Sequence, residues 1–285
     1  MTSHLIYADD RCLLRLNGPD VVSFLQGIIT NDMALLETNT SLYTALLNPQ
    51  GRYVFDFFVI KGEEPHQFWI DCPKSRASDL IKMLSFYKLR ADVQIKDVSA
   101  MIAVVLQPHG EHPQAALQNV AMIHTSDPRH PSLGVRSLIP IEHLDTFVTT
   151  RDLISYEQQR IQLGAPGELD LIPQKSLPLE SNFDIFNALS FTKGCYLGQE
   201  LTTRTKFRGE TRKRLIPCHM TTPLDPLQSM DITADTLLVG SVRSIAYPHA
   251  LAFVRLENCH FVDDNMIAYC QGKPIALQKP SWLLY

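Results

Sequence analysis

The chain has 285 residues, 45% of them hydrophobic and 20% charged, with a formal net charge of −4. That apolar share excludes low-complexity disorder, and the length suits about two domains. No apolar run approaches the roughly 20 residues of a membrane helix, so the composition points away from a membrane.

The first residues, MTSHLIYADDRC, carry neither a basic leader nor a long apolar segment. The expectation is therefore a cytoplasmic protein: bacterial cytosol, or mitochondrial matrix if the source is eukaryotic. Six scattered cysteines without a CxxC pair or zinc-type spacing argue for reduced thiols and no metal site.

In chain order, residues 12–16 read as a strand, followed by the turn Asn17-Gly18-Pro19. Asp20 is placed to cap a short helix that Gly27 closes. Residues 40–47 and 53–60 form a hairpin around Asn48-Pro49-Gln50-Gly51-Arg52. A strand at 67–71, a helix at 74–87 and strands at 92–98 and 101–106 complete an α+β pattern of mainly antiparallel sheet.

Residues 108–131 are rich in Pro and His, with a helical patch at 114–119. His109 and His112, in a proline-flanked loop, read as surface rather than as a zinc site. A helix at 153–163, capped by Asp152, stops at Gly164, and loops follow to residue 190. Runs at 215–220, 236–247, 251–256 and 274–284 predict a small C-terminal β-barrel or sandwich. The expected division is 1–208 and 209–285.

One segment concentrates both charge and chemistry. Lys193, Arg204, Lys206, Arg208, Arg212, Lys213 and Arg214 face only Glu200 and Glu210 in an otherwise acidic chain. Within it, glycines flank Cys195-Tyr196-Leu197 ahead of a helix start at Gln199. Glycines admit close backbone approach, and Lys193 nearby would favour a thiolate. On the residues alone, a reactive thiol and an inert buried cysteine both remain open.

The block SFTKGCYLGQE (190–200), preceded by PLESNFD (178–184) and followed by Arg204, Arg208-Gly209 and Arg212, resembles the signature of the YgfZ family, also described as CAF17-like. NGPDVVSFLQGIITND (17–32), LLNPQGRYVFD (46–56), YKLRADV (87–93) and RIQLGAP (160–166) extend the likeness in order. The resemblance implies the folate-binding fold of the glycine-cleavage T-protein, an aminomethyltransferase: α+β, three lobes in a ring, the last a β-barrel. It further implies a monomer that binds tetrahydrofolate or a one-carbon derivative. Its role would be maturation or repair of iron–sulfur proteins, supporting tRNA modification indirectly, with assembly factors or client proteins as partners.

The same resemblance supplies the candidate residues. Cys195 would be a redox-active thiol or a transient cluster contact, with Lys193 and Gln199 beside it and Gly194, Tyr196, Gly198, Glu200 and Arg204 completing the motif. Asp56 stands where T-proteins carry paired acids near the reactive folate nitrogen; the alternative is a strand aspartate paired with Arg52 or Arg90. Gln162 replaces a pterin-reading glutamate, and an amide cannot accept both hydrogens of an aminopyrimidine edge. Where some members set aromatic rings against the pterin, this chain has Arg11 and Tyr156; Tyr156 could equally pack on a helix face. Glu180 and Asn182 would line the cavity or position the loop.

The alternative function is a folate-dependent aminomethyl- or methyltransferase, which Gln162 and the single Asp56 weaken. The basic tract at 204–214 allows three readings: RNA phosphates, a folate tail or other acidic partner, or a solvated strand entering the barrel. Direct nucleic-acid binding is disfavoured, because Phe207 is the lone aromatic among these charges.

Overall fold

The computed structural model describes residues 5–109, 115–148 and 150–283. The chain folds into two compact units. The first comprises Met1–Gln50, Val54–Leu153 and Phe186–Gln199; the second comprises Gly51–Tyr53, Ile154–Ile185 and Glu200–Tyr285.

In the first unit, β1 (Ile6–Tyr7) and β2 (Arg11–Asn17) lead into α1 (Val21–Ile28). β3 (Ser41–Leu47), β4 (Tyr53–Lys61), β5 (Gln67–Pro73), α2 (Ala77–Lys88) and β6 (Gln94–Asp97) follow. These strands make a five-stranded sheet ordered β3-β4-β5-β2-β6. Alternation along β2 sends Cys12, Leu14 and Leu16 to one face, where they meet Phe24, Leu25 and Ile28 of α1 and Leu80 and Leu84 of α2. Arg11, Leu13 and Arg15 take the opposite parity.

The α1 prediction holds, but its cap differs. Asp20 makes no side-chain cap on its helix; its Oδ2 instead accepts from the Asp92 amide at 2.8 Å, a partner 72 residues away. Gly27 lies inside the helix rather than closing it.

A second sheet of the unit is built from β7 (Ile102–Gln107), α3 (Ala115–Val120), β8 (Ile123–Ser126), β9 (Val135–Pro140) and α4 (Leu144–Phe147), with strand order β1-β7-β9-β8. Ala103, Val105 and Ile139 pack on Leu117 and Leu144. Of the two histidines read as surface, His109 is exposed, and His112 lies outside the described residues.

The second unit opens with α5 (Ile154–Leu163), ended by Gly164 at φ 80°, the left-handed geometry that favours glycine after a helix. Turns and loops fill the stretch before α6 (Gln199–Arg208). The remaining strands are β10 (Lys213–Met220), β11 (Asp231–Ala234), β12 (Leu237–Ala246), β13 (His249–Arg255), β14 (Asn265–Cys270) and β15 (Lys273–Gln278). They close a barrel in the order β10-β13-β12-β11-β14-β15. Closure removes the free sheet edges that would otherwise invite pairing.

Alternating residues such as Ile216, Cys218 and Met220 fill the barrel interior. At Gly240 the strands run so close that a Cβ would lie 2.2 Å from the Phe253 carbonyl oxygen. Ile161 of α5 packs outside the barrel on Leu215, Ala246 and Leu251. The basic tract is not one solvated strand: residues 204–208 are helical, and β10 begins only at Lys213.

Candidate functional site

The loop carrying Cys195 is held by the segment that follows α1. Ser190 donates its amide to the Thr30 carbonyl, and Leu197 donates to the Gly27 carbonyl. Thr30 Oγ1 donates to the Ala188 carbonyl at 2.7 Å, and Asn31 Nδ2 donates to the Asn187 carbonyl at 2.7 Å. The strongest tie is Lys193, whose Nζ reaches the carbonyls of Ile29 at 3.0 Å and Asn31 at 2.7 Å. A helix C-terminus leaves carbonyls unpaired and favours a cation, so an ammonium is suited to the end of α1. Burial pulls the Lys193 pKa down to about 8, against the opposing charge of Asp32. Two motif blocks more than 160 residues apart are thereby clasped.

All six cysteines are free thiols; five are buried, and Cys195 is exposed. The expectation of burial is thus corrected for Cys195. Its flanking glycines differ. Gly198 has φ 79° and turns the chain into α6, a conformational reason for glycine. At Gly194 φ is not positive, and an added Cβ would meet no atom within 4 Å. Neither backbone strain nor crowding within the chain requires glycine there.

Tyr196 is buried, with Lys193 Nζ 5.2 Å from its ring centroid. Its hydroxyl has no hydrogen-bond partner among the described residues, and burial pushes its pKa up to about 12. An unpaired buried hydroxyl costs about 1–3 kcal/mol. Tyr196→Phe should therefore leave the melting temperature unchanged or raise it; a clear fall would show that the hydroxyl is paired in solution.

Asp56 and Arg11 sit in the same unit. Asp56 is buried on β4 and accepts from Tyr43 Oη at 2.8 Å. Arg11 donates Nε to Asp71 Oδ1 at 2.6 Å, and Asp71 also receives Arg136 Nη1 at 2.6 Å. The alternation continues through Arg136 to Asp127 at 3.3 Å and Asp127 to Arg129 at 2.8 Å. Burial opposes ionisation of Asp127, yet Arg129 and Arg136 hold its carboxyl well below the usual range. The guanidinium of Arg136 lies 3.9 Å from the Phe58 ring centroid, that of Arg129 5.0 Å and that of Arg11 5.6 Å. This five-residue ladder escaped sequence reasoning: its members come from separate strands and loops and share no local pattern.

The other candidates belong to the second unit. Tyr156 is buried on α5. Gln162 is exposed, with Nε2 against Nε2 of His249 on β13. Asn182, at φ 61° and fully buried, donates both amide hydrogens, to the Gly164 carbonyl at 2.9 Å and the Leu215 carbonyl at 2.8 Å. It joins the end of α5 to the first barrel strand. Glu200 and Arg204 are exposed on α6.

Glu180 lines a pocket of about 220 Å3 that also includes Leu177, Leu201, Thr202, Thr205 and Arg212. Burial raises the Glu180 carboxyl pKa, offset by the charges of Lys213, Arg52 and Arg214. No cluster of three or more metal-ligating His, Cys, Asp or Glu side chains occurs among the described residues.

Comparison with known proteins gives the class first. The fold matches that of glycine cleavage system aminomethyltransferase T from Bartonella henselae, with a TM-score of 0.74 and 17% identity, covering 99% of this chain and 86% of that one. The family model described as GCVT N-terminal domain matches residues 12–149, and that described as CAF17, C-terminal beta-barrel domain matches residues 212–285. The α+β T-protein-like fold with a terminal β-barrel, expected from the motif resemblance, is thus the fold of this chain, and the barrel has six strands.

Human iron-sulfur cluster assembly factor IBA57, mitochondrial, is 36% identical over 258 residues, 83% of this chain and 71% of its own. The Mus musculus protein of that name is 34% identical over 282 residues, 87% and 76% of the two chains. A Pyricularia oryzae homolog is 36% identical over 215 residues, 73% of this chain but only 55% of its own length. The chain therefore spans about half the length of such fungal relatives. It belongs to the IBA57/CAF17 family of iron–sulfur cluster assembly factors.

Proposed function

We propose that this protein serves the assembly or repair of iron–sulfur proteins, offering Cys195 to a cluster or partner, and that it binds tetrahydrofolate or a one-carbon derivative. The observation that carries the reading is the exposed thiol on a loop pinned by Lys193. Preorganisation of this kind limits the ordering cost when a partner engages. The open space at Gly194 leaves the thiol approachable.

The residues bear on folate in two ways. The Lys193 ammonium and the Asn182 amide hydrogens are engaged by backbone carbonyls, and Arg11 is engaged by Asp71. We assign these three to holding the fold together. For the cofactor we keep Asp56, which also accepts from Tyr43, and Gln199 as the acceptor and amide that the family resemblance suggests. The fold likeness and the relatives' names motivate these assignments, and so does the wider role: partners in the assembly machinery, an indirect benefit to tRNA modification, and a place in a bacterial cytosol or mitochondrial matrix. A folate-dependent transferase is the weaker reading, because Gln162 is exposed and lies against His249 instead of offering a carboxylate.

The decisive test is complementation of a deletion strain by wild type and by Cys195→Ala, reading a cluster-dependent enzyme under oxidative stress. Wild type should restore activity and the variant should not. Equal rescue would remove Cys195 from the function. Saturable tetrahydrofolate binding, measured by calorimetry on both proteins, tests the cofactor separately.

A further inference from the structure

Among the described residues, Cys12 and Cys72 are the cysteines that face one another: they stand directly opposite in the antiparallel pairing of β2 with β5. Cys218 lies opposite Ala250 and Leu277, and Cys270 opposite Ile232 and Lys273. The β2–β5 pairing runs from Arg11 to Asn17 without a register shift, and both thiols point into the same apolar core. On this ladder the Lys74 amide donates to the Asp10 carbonyl and the Gly18 amide to the His66 carbonyl. Both bonded pairs stand an even number of residues from Cys12 and Cys72. These therefore occupy a hydrogen-bonded position, where opposed Cα atoms lie about 5.5 Å apart. A disulfide spans Cα separations of roughly 4.4–6.8 Å, so the pair is within bridging reach without displacing either strand.

The two thiols are hydrogen-bonded to each other, and Ser99 Oγ donates to Cys12 Sγ at 3.1 Å. The Cys72 hydrogen bond, joined by that of Ser99, holds the Cys12 thiol below its ordinary value against burial. The bond to Cys12, and then burial, pushes Cys72 up. Cys12 is thus the sulfur that ionises, and Cys72 keeps its proton. Both are buried, but the cover over Cys12 is not a strand. β6 is the outer strand of the sheet, and its pairing with β2 ends at Leu14 opposite Asp97. Beyond that point a turn takes over, with Ser99 half-buried and Asp97 and Ala100 exposed. Opening such a turn costs far less than unfolding the sheet, and it admits a molecule as small as a peroxide.

We infer that Cys12 and Cys72 form a reversible dithiol–disulfide couple, oxidised by a hydroperoxide, that staples β2 to β5. The Cys12 thiolate attacks one peroxide oxygen. An S–O bond forms, the O–O bond breaks, and the departing oxygen takes a proton to leave as water or an alcohol. The Cys72 sulfur then attacks the Cys12 sulfur. The S–S bond forms, the S–O bond breaks, and the Cys72 proton leaves with the hydroxide as water. The two thiols lose a pair of electrons, and the peroxide gains it. A dithiol reductant reverses the step by exchange. The bridge closes the chain between Cys12 and Cys72, so the oxidised form resists unfolding of the first unit. The couple is separate from Cys195 and does not rest on the functional reading above.

The test uses the full chain carrying Cys195→Ser, so that the exposed thiol does not compete, treated with hydrogen peroxide and digested without reduction. Mass spectrometry should find the Cys12 peptide joined to the Cys72 peptide, and the thiol titre of the intact protein should fall by two. Dithiothreitol should restore both. The urea midpoint of the oxidised protein should exceed that of the reduced protein. Adding Cys72→Ser should leave the Cys12 sulfenic acid to be trapped by dimedone, whereas adding Cys12→Ser should leave Cys72 unlabelled. The linked-peptide measurement needs neither of these added substitutions, so it decides the matter even if they prevent folding. The proposal is overturned by the absence of the linked peptide, or by linkage spread equally over Cys218, Cys259 and Cys270. A urea midpoint unmoved by oxidation, or equal dimedone labelling of the two folded variants, would overturn it as well.

Discussion

Asp71→Asn should destabilise the protein by about 3–5 kcal/mol, the scale of losing one partner from a buried ion pair. Asp71 is fully buried and shared by Arg11 and Arg136. Arg136 is only 3% exposed, so a buried guanidinium would lose the nearer of its two carboxylates, Asp127 at 3.3 Å remaining. An asparagine keeps the shape but cannot neutralise two guanidiniums. Because Asp71 lies on β5 and Arg136 on β9, the loss also loosens one sheet of the first unit from the other. Urea unfolding of the variant would measure the effect. The comparison is Lys82→Ala, which removes an exposed pair with Asp79 and should cost under about 1 kcal/mol. Similar midpoints for the two variants would refute the importance of the ladder.

Arg160→Met should be comparably damaging in the second unit, with a pH signature. Arg160 donates to Asp170 Oδ2 at 2.7 Å, Glu157 Oε2 at 2.6 Å, Ser244 Oγ at 3.1 Å and the Ala165 carbonyl at 2.7 Å. Burial raises the Asp170 carboxyl above its ordinary value even against the opposing charge of Arg160. A carboxyl with a raised folded-state pKa binds more protons folded than unfolded in the window between the two values. Its contribution to stability is therefore greatest on the acid side and is lost as pH rises through that window.

Removing the guanidinium widens the window. Arg160→Met should cost about 3–5 kcal/mol near neutral pH and recover part of that on acidification. Adding Asp170→Asn should restore much of the neutral-pH loss, because the buried charge itself is gone. Denaturant midpoints across pH for the single and double variants measure this. A pH-independent loss in Arg160→Met would show that packing, not charge, dominates.

Local chemistry made several elements legible and left others hidden. The helix before Gly164 was readable because the capping glycine is the next residue in sequence. The Asp20 cap misled, since its carboxylate found the Asp92 amide, a contact set by the return of a distant strand. β11 and β14 were missed, because short strands that alternate weakly depend on barrel neighbours more than on their own residues. For the site, KGCYLGQE pointed to Cys195, and the structure exposes that thiol. The motif did not reveal that Lys193 and Asn182 satisfy backbone carbonyls, because any carbonyl in the chain carries the same chemistry.

The uneven charge along the chain illustrates both sides. Sequence by itself determined the apolar content for a core, the motif around Cys195 and the concentration of cations after it. Tertiary structure alone decided which of those cations are engaged. Asp184 neutralises Lys206 and Arg214, while Arg204, Arg208 and Arg212 keep their charge unpaired among the described residues. The physical reason is range: propensity and periodicity act over a few residues, whereas burial and ion pairing depend on whichever groups folding brings within a few ångströms.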